Sequence, residues 1–166
     1  MRRRSLLAGA GSLGLGLMLL PAPRVLAAPM NPNVPVINSY LAAWNFHSIE
    51  RAARHFADDV VYFDASVGTP VEGKDAATSG VVANFINAAP DLIWGVRGRM
   101  ITSADQVAFE WAFSGTNSGA WADGTAATGK RFRFPGASVF TIRDGLIAEQ
   151  SDYYDSLDFF KQLGWI

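Results

Sequence analysis

The 166-residue sequence contains no cysteine and only two histidines, His47 and His55. The absence of cysteine excludes disulfide bonds, thiolate metal sites and a lipid-modified cysteine. The two histidines form no cluster with carboxylates at a usable spacing, so we expect no metal site. No motif in the folded part of the chain indicates an organic cofactor, so we expect a cofactor-free protein whose stability comes from packing.

Charged residues are also few, at 17% of the chain, and fourteen basic residues nearly balance fifteen acidic ones. Four of the basic residues and none of the acidic ones precede residue 28, so the rest of the chain has a formal net charge of −5. A mildly acidic protein does not attract DNA or anionic lipid, so we expect no nucleic-acid partner. The hydrophobic content of 49% is typical of one globular domain with a proper core.

The N-terminus has the pattern of a bacterial export signal. Arginines at positions 2–4 precede an apolar run over residues 6–20, and small residues lead to Ala27. The run is shorter than the roughly 20 residues of a membrane-spanning helix, so we expect cleavage after Ala27, no stable membrane anchor and a periplasmic or secreted product. The arginine pair indicates the twin-arginine route, and an ordinary secretion signal stays open. Glycines within residues 9–14 match a dinucleotide-binding pattern, but no strand precedes them and they lie in the signal.

The remaining chain is predicted to be one domain over residues 36–166, after an extended, proline-rich lead-in at 28–35. Apolar residues at helical spacing predict three N-terminal helices, and longer β-rich segments with turns between them predict strands. The predicted helices start at Val36 and cover Ile49–Phe56 and residues 75–88, with a short last helix over Ser156–Leu163. The predicted strands are Val60–Phe63, Leu92–Thr102, Gln106–Thr116, Lys130–Arg143 and Leu146–Tyr154.

This order of elements predicts an α+β fold. We expect a curved antiparallel sheet that forms a cone, covered on one face by about three N-terminal helices and followed by a short C-terminal helix. The inside of such a cone is a natural pocket for a small molecule.

The strongest local signal is Asp144-Gly145 between two alternating apolar segments, which predicts a type I′ hairpin turn because both central residues need positive φ. Alternation then places Gln150, Asp152 and Tyr154 on one face of the return strand and Ile147 on the other. We expect the first face to line the pocket.

Two aromatic residues of the preceding strand, Trp111 and Phe113, share one face with Asn117. They are either walls of the pocket or ordinary core. Asp64 ends the first strand, where it either faces the mouth of the pocket or accepts hydrogen bonds in a turn. Arginines at positions 97, 99, 131 and 133 form either a basic strip for an acidic substrate or a solvated face of the sheet.

Short motifs in order along the chain resemble the SnoaL-like polyketide cyclases and the related ester cyclases, a branch of the nuclear-transport-factor-2-like superfamily. Together they are specific for the fold and much less so for the chemistry, because this superfamily includes isomerases, cyclases, epoxide hydrolases, dehydratases and binding proteins. The motifs are Ala43-Trp44-Asn45 with His47, Phe56-Ala57-Asp58-Asp59-Val60, Gly73-Lys74-Asp75, Gly115-Thr116-Asn117-Ser118-Gly119, Thr128-Gly129-Lys130, Ala137-Ser138-Val139-Phe140, Arg143-Asp144-Gly145 and Tyr154-Asp155.

The resemblance implies a homodimer and matches Asp152 to the catalytic aspartate of the family's cyclases. Two histidine positions of those cyclases are occupied here by Gln150 and Asn117. The change keeps a base and two hydrogen-bonding side chains and removes two groups that could carry a proton.

A buried Asp152 would lose solvation and have a raised pKa, as a general base that removes a proton next to a carbonyl requires. Asn117, Gln150 and Tyr154 are then candidates for holding the enolate oxygen. The first hypothesis is therefore an exported isomerase, cyclase or lyase acting on an apolar small molecule. The alternatives are a structural role for Asp152 and a binding module that uses the same pocket without turnover.

Overall fold

The structure is a computed structural model that describes residues 31–166, so the predicted export signal at 1–27 lies outside the described residues. The first helix, α1, spans Asn33–Asn45 and begins three residues before the predicted start, inside the predicted lead-in. Pro32 precedes it and Pro35 lies in its first turn. A proline is tolerated there because the first N–H groups of a helix have no partner within it.

The second helix, α2, spans Ile49–Ala53 and ends three residues before the predicted end. The backbone N–H of Arg51 donates to the Ser48 hydroxyl at its N-terminus. Strand β1 begins at Phe56, so the predicted helical segment is divided between a helix and a strand. Pairing of β1 with a neighbouring strand outweighs the helical spacing of the apolar residues in this short segment.

The third predicted helix is present over Lys74–Ala88 in three consecutive parts. These are α3 over Lys74–Ala77, a π-helical stretch over Thr78–Ala83 and α4 over Asn84–Ala88. The last helix, α5, spans Ser156–Leu163 as predicted, and the Asp158 N–H donates to the Asp155 carboxylate at its start. No helix within residues 31–166 is long and apolar enough to cross a membrane.

Six strands form one curved sheet in the order β2-β1-β6-β5-β4-β3, which confirms the predicted α+β fold. Neighbouring strands pair antiparallel except β1 and β6, which run parallel. The strand bounds are Phe56–Asp64 for β1, Val71–Glu72 for β2, Ile93–Thr102 for β3, Gln106–Thr116 for β4, Arg131–Arg143 for β5 and Leu146–Tyr154 for β6.

The predicted turn between β5 and β6 is present, with φ of 53° at Asp144 and 77° at Gly145. A register shift follows it, because Ile142 pairs with Ile147 while Thr141 pairs with Glu149. Ala148 is the extra residue of this β-bulge, and both Ile147 and Ala148 are buried. The prediction that Ile147 lies on the outer face is therefore wrong.

The core lies between the helices and the inner face of the sheet and is rich in aromatic residues. Trp111 and Phe113 of β4 are buried there, whereas Glu110, the residue before Trp111, is exposed. Trp44 of α1 packs edge-to-face on Trp94 of β3, with ring centroids 5.2 Å apart. The arginines at 97, 99, 131 and 133 are all exposed, which supports the solvated-face interpretation.

Candidate active site

Asp152 lies near the end of β6 with only 4% of its surface exposed. The strand pairing places it opposite Ser138 of β5 on one side and opposite Asp64 of β1 on the other. Both of these neighbours are buried as well. The centre of the sheet therefore holds two carboxyl groups and a hydroxyl on adjacent strands.

Three side chains donate hydrogen bonds to the Asp152 carboxyl group. The Tyr62 hydroxyl donates to Oδ2 at 2.6 Å, the Gln150 amide donates to Oδ2 at 2.9 Å, and the Ser138 hydroxyl donates to Oδ1 at 2.5 Å. The Trp111 indole N–H donates to Ser138 Oγ at 2.7 Å. Because Ser138 accepts from Trp111, its own hydrogen is free to point at Asp152.

The Asp64 carboxyl group also accepts several hydrogen bonds. The Tyr154 hydroxyl donates to Asp64 Oδ1 at 2.8 Å, and the Ser66 hydroxyl donates to the same oxygen at 2.6 Å. The backbone N–H groups of Ser66 and Val67 donate to it at 2.9 and 3.3 Å. Both roles considered for Asp64 are present, because it accepts hydrogen bonds in a turn and also faces the cavity described below.

The pKa of Asp152 is raised to about 7, mainly by burial and next by the charge of nearby Asp64, while the bonds from Ser138, Tyr62 and Gln150 lower it in part. Burial also raises the pKa of Asp64 above its usual range. The pKa of Tyr62 is raised by burial and by the Asp152 charge, so Tyr62 stays a neutral donor. The site thus holds a carboxyl group that changes charge near neutral pH.

A cavity lies against both aspartates, between the sheet and the helices. Its polar lining consists of Tyr62, Asp64, Asp152 and Tyr154. Its aromatic walls are Trp44, Phe85, Trp94, Trp111, Phe113 and Phe134.

The cavity is nearly filled by its own side chains. The volume open to the centre of a water molecule is about 20 Å³, which is room for roughly one water molecule. The aromatic rings must therefore move to admit an organic ligand. Trp111 and Phe113 are both packed core and cavity wall, so neither of the two interpretations excluded the other.

The structure brings only part of the predicted site together. Tyr154, Asp64, Trp111 and Phe113 line the cavity with Asp152. Gln150 contacts the Asp152 carboxyl group but does not line the cavity, because its amide N–H points to that carboxyl.

Asn117 lies outside the cavity. The residue before it, Thr116, pairs with Arg131 of β5. Asp152 pairs with Ser138, which lies seven residues further along the same strand. The Asn117 amide donates to the carbonyl groups of Ala88 and Gly119 at 3.2 and 2.8 Å. This placement does not support the prediction that Asn117 holds a substrate, because its donors are used in fixing the loop after β4.

Tyr62 and Ser138 donate to Asp152 and were not among the predicted site residues. Tyr62 is two residues before Asp64, so strand alternation could have placed both on one face. Ser138 could not have been found in this way. A hairpin without the bulge would pair Asp152 with Ala137.

The histidines take no part in the cavity. His47 contacts the Leu92 carbonyl at 2.8 Å, and His55 contacts the Arg51 carbonyl at 2.9 Å. Within residues 31–166, no group of three or more His, Cys, Asp or Glu side chains is placed to hold a metal ion.

An aromatic cavity with a buried carboxyl group, enclosed by helices and a curved six-stranded sheet, defines a domain of the nuclear-transport-factor-2-like fold with a small-molecule site. The sequence matches the profile of the SnoaL-like polyketide cyclases over residues 35–163, and the chain belongs to this family. Membership supports a small-molecule cyclase or isomerase function and a small apolar ligand. No curated protein matches the chain significantly.

Solved structures share the fold at low sequence identity. TsrD from Streptomyces laurentii is 21% identical, with a TM-score of 0.69 over 84% of this chain and 100% of its own. The proposed hydroxylase AclR from Streptomyces galilaeus is 22% identical, with a TM-score of 0.69 over 83% of this chain and 84% of its own. The proposed polyketide cyclase IdmH from Streptomyces antibioticus is 24% identical, with a TM-score of 0.64 over 80% of this chain and 99% of its own. At these identities the likeness shows the fold alone.

Proposed function

We propose that the protein is a cofactor-free isomerase, cyclase or lyase in which Asp152 removes a proton from carbon next to a carbonyl group of an apolar small molecule. The observation that carries the proposal is the geometry of Asp152. Its carboxyl group is buried, faces an aromatic cavity and has one side that its hydrogen-bond donors leave free. An ionised carboxylate has about four acceptor positions, and Ser138, Tyr62 and Gln150 occupy three of them.

The free acceptor position is where a substrate proton would be received. Oδ2 accepts two hydrogen bonds and Oδ1 accepts one, so the remaining position is on Oδ1. The three donors fix the orientation of the carboxyl group, as a base must be fixed to meet a particular C–H bond. A pKa of about 7 also suits both halves of an isomerisation, because the same group can take a proton and return it near neutral pH.

Asp64 supports this role by keeping its own negative charge close to Asp152. Two backbone N–H groups, a serine and a tyrosine stabilise the Asp64 carboxylate. The three donors to the Asp152 carboxyl group are all side chains. The nearby charge of Asp64 disfavours the ionisation of Asp152. The charge of Asp64 therefore adds to burial in bringing the pKa of Asp152 to about 7.

The proposal is tested by hydrogen–deuterium exchange at carbon. A panel of aryl 1,3-diketones in D₂O would be followed by proton NMR with the wild type, Asp152→Asn and the control Glu149→Gln. Glu149 is an exposed carboxylate on the same strand. We expect Asp152→Asn to reduce enzyme-dependent exchange by at least the roughly 10²-fold of a lost general base and Glu149→Gln to leave it unchanged. Equal exchange by wild type and Asp152→Asn would refute the assignment.

A binding module without turnover is the second candidate function. The observation that favours it is the nearly filled cavity, together with Gln150 and Asn117 at the two positions that carry histidines in the family's cyclases. This function predicts that a ligand found by thermal shift is recovered chemically intact. Transformation of that ligand at a rate that depends on Asp152 would refute it.

We also propose that the protein acts outside the cytoplasm as a homodimer. The export pattern at residues 1–27 supports the first part. The second is supported by apolar side chains on the outer face of the sheet, where Val96, Val139 and Tyr153 are exposed. Fractionation of cells that produce the full chain should place it in the periplasm or medium, and light scattering should give twice the mass of the mature chain. Retention in the cytoplasm or a monomeric mass would refute the respective part.

A further inference from the structure

The two oxygens of the Asp64 carboxyl group have very different surroundings. Oδ1 accepts four hydrogen bonds, from the hydroxyl groups of Ser66 and Tyr154 and from the backbone N–H groups of Ser66 and Val67. Within residues 31–166, no group donates to Oδ2. Asp64 is only 3% exposed, and buried polar atoms are normally paired. The unpaired oxygen therefore points to a partner outside the chain.

Oδ2 is the oxygen on the cavity side of Asp64. The donors hold Oδ1 against the turn that follows β1, while the residue also lines the cavity beside Asp152. Oδ2 is not among the fully enclosed unpaired atoms of residues 31–166, so part of its surface is open. Three of the four donors to Oδ1 belong to the turn itself. The orientation of Oδ2 therefore persists when the aromatic walls move to admit a ligand.

The hydrogen bonds at Oδ1 favour an ionised Asp64. Burial raises the pKa of this carboxyl group, and its four donors act against that rise because they stabilise the charged form. An ionised carboxylate oxygen can only accept hydrogen bonds. The two tyrosines in the polar lining of the cavity, Tyr62 and Tyr154, already donate to Asp152 Oδ2 and to Asp64 Oδ1. A donor for Asp64 Oδ2 must therefore come from the ligand.

We infer that Asp64 Oδ2 binds an O–H or N–H group of the substrate and so selects apolar carbonyl compounds that also carry a hydroxyl or amino group. The inference rests on the proposed function for the carbonyl group and adds the second polar group of the substrate. Asp64 and Asp152 are register partners on β1 and β6, and adjacent strands lie about 4.8 Å apart. The hydroxyl or amino group is therefore expected only a few bonds from the carbon that gives its proton to Asp152.

The test compares four ligands of equal size that share one benzene ring. They are benzyl alcohol, benzylammonium, ethylbenzene, which has no polar group, and benzaldehyde, which has only an acceptor. Chemical-shift titrations of ¹⁵N-labelled protein at neutral pH would give the Kd values. We expect the wild type to bind benzyl alcohol or benzylammonium roughly 10- to 100-fold more tightly than ethylbenzene, as a hydrogen bond to a charged group provides. The comparison of these two donors shows which kind the site prefers. Equal binding of all four ligands, or tightest binding of benzaldehyde, would overturn the inference.

Asp64→Asn should reverse the polarity of the site. The amide oxygen can keep the four hydrogen bonds of Oδ1, so the NH₂ group takes the place of Oδ2 and turns an acceptor into a donor. We expect benzylammonium to bind more weakly and benzaldehyde more tightly than to the wild type. Asp58→Asn, at an exposed position of β1, should bind all four ligands as the wild type does. An unchanged order of affinities in Asp64→Asn would overturn the inference.

A measurement on the wild type avoids any effect of substitution on folding. With ¹³C carboxyl resonances assigned through the backbone, the Asp64 resonance should move more on titration with the preferred donor ligand than with ethylbenzene. Equal movement with both ligands would overturn the inference.

Asp152→Asn separates this inference from the proposed base. The variant should keep the preference for a donor ligand, because Asp64 is unchanged, and loss of the preference would assign it to Asp152 instead. Loss of carbon exchange in this variant, with no donor preference in the wild type, would overturn the inference and leave the base in place. Unchanged exchange with a donor preference that depends on Asp64 would remove the base and support the binding site.

Discussion

Tyr62 and Asp152 are joined across the parallel pair of strands β1 and β6 by a hydrogen bond of 2.6 Å. The reverse bond is present beside it, since Tyr154 of β6 donates to Asp64 of β1 at 2.8 Å. Each strand therefore supplies one carboxyl group to the cavity and one tyrosine to orient the carboxyl group of the other strand. This crossed arrangement fixes two buried carboxyl groups through neutral hydroxyl donors.

Tyr62→Phe should raise the pKa of Asp152 above its value of about 7. The substitution removes a donor that stabilises the ionised carboxylate, and one lost hydrogen bond to a buried charged group costs about 1–3 kcal/mol. We therefore expect the midpoint of the pH–rate profile to move up by roughly one pH unit. A ¹³C NMR titration of labelled aspartate carboxyl groups would measure the same change without a substrate.

Tyr153→Phe is the matched control, because Tyr153 neighbours Asp152 in sequence and is 53% exposed on the outer face. It should leave the midpoint unchanged. An unchanged midpoint in Tyr62→Phe, or an equal movement in both variants, would contradict the role given to this hydrogen bond.

The stability of the wild type should fall as the pH rises from about 4 to about 7. In this window Asp152 is protonated in the folded state, where its pKa is about 7, and ionised in the unfolded state, where its pKa is about 3.9. The unfolded state therefore binds fewer protons, and the free energy of unfolding decreases with pH by on the order of 4 kcal/mol in total. The raised pKa of Asp64 adds a decrease of the same sign.

Asp152→Asn removes the larger of these two titrations. Urea unfolding at several pH values should show a smaller decrease for this variant than for the wild type over the same window. Parallel curves would mean that Asp152 does not titrate near neutral pH in the folded protein. Glu149→Gln, on the exposed face of β6, should give a curve parallel to the wild type.

Gly136→Ala should destabilise the protein and displace Trp111. A Cβ atom on Gly136 would lie 2.2 Å from the Trp111 ring, and the ring cannot move without straining its bond to Ser138. Overpacking of this kind costs about 1–3 kcal/mol. Thermal unfolding should show a lower Tm, and the ¹⁵N resonance of the Trp111 indole should shift.

Gly95→Ala is the matched control in another strand of the sheet. The nearest atom to its Cβ would be the Ala112 carbonyl oxygen at 3.9 Å, an ordinary contact. We expect Tm to stay the same or rise slightly, because alanine reduces the freedom of the unfolded chain. A similar loss of Tm in both variants would show that the contact with Trp111 is not the cause.

Local signals in the sequence predicted most elements of the fold, including both ends of β4, β6 and α5. They were reliable where turn chemistry marks a boundary, as at Asp144-Gly145. They failed at Phe56, because a short amphipathic segment fits a helix and a strand equally well. The choice there depends on pairing with β6, a partner far along the chain.

The candidate site was predictable only as far as strand alternation reaches. Asp152 was expected to be buried and to face the cavity, and both expectations are confirmed. It accepts hydrogen bonds from three side chains, and its role as a base stays a proposal. Ser138 became its partner through the bulge at Ala148, and a bulge leaves no clear mark in a sequence.

Asn117→Ala should loosen the loop over residues 118–129 and leave the titration of Asp152 unchanged. The Asn117 side chain accepts hydrogen bonds from the backbone and hydroxyl of Thr128 at 2.9 and 3.2 Å and donates to Ala88 and Gly119, so its removal leaves buried groups unpaired. We expect a loss of about 1–3 kcal/mol and faster amide hydrogen exchange over 118–129. The exposed Asn87→Ala should show neither change. Loss of turnover in Asn117→Ala with unchanged amide exchange would show instead that Asn117 acts on the substrate, as its position in the family motif suggests.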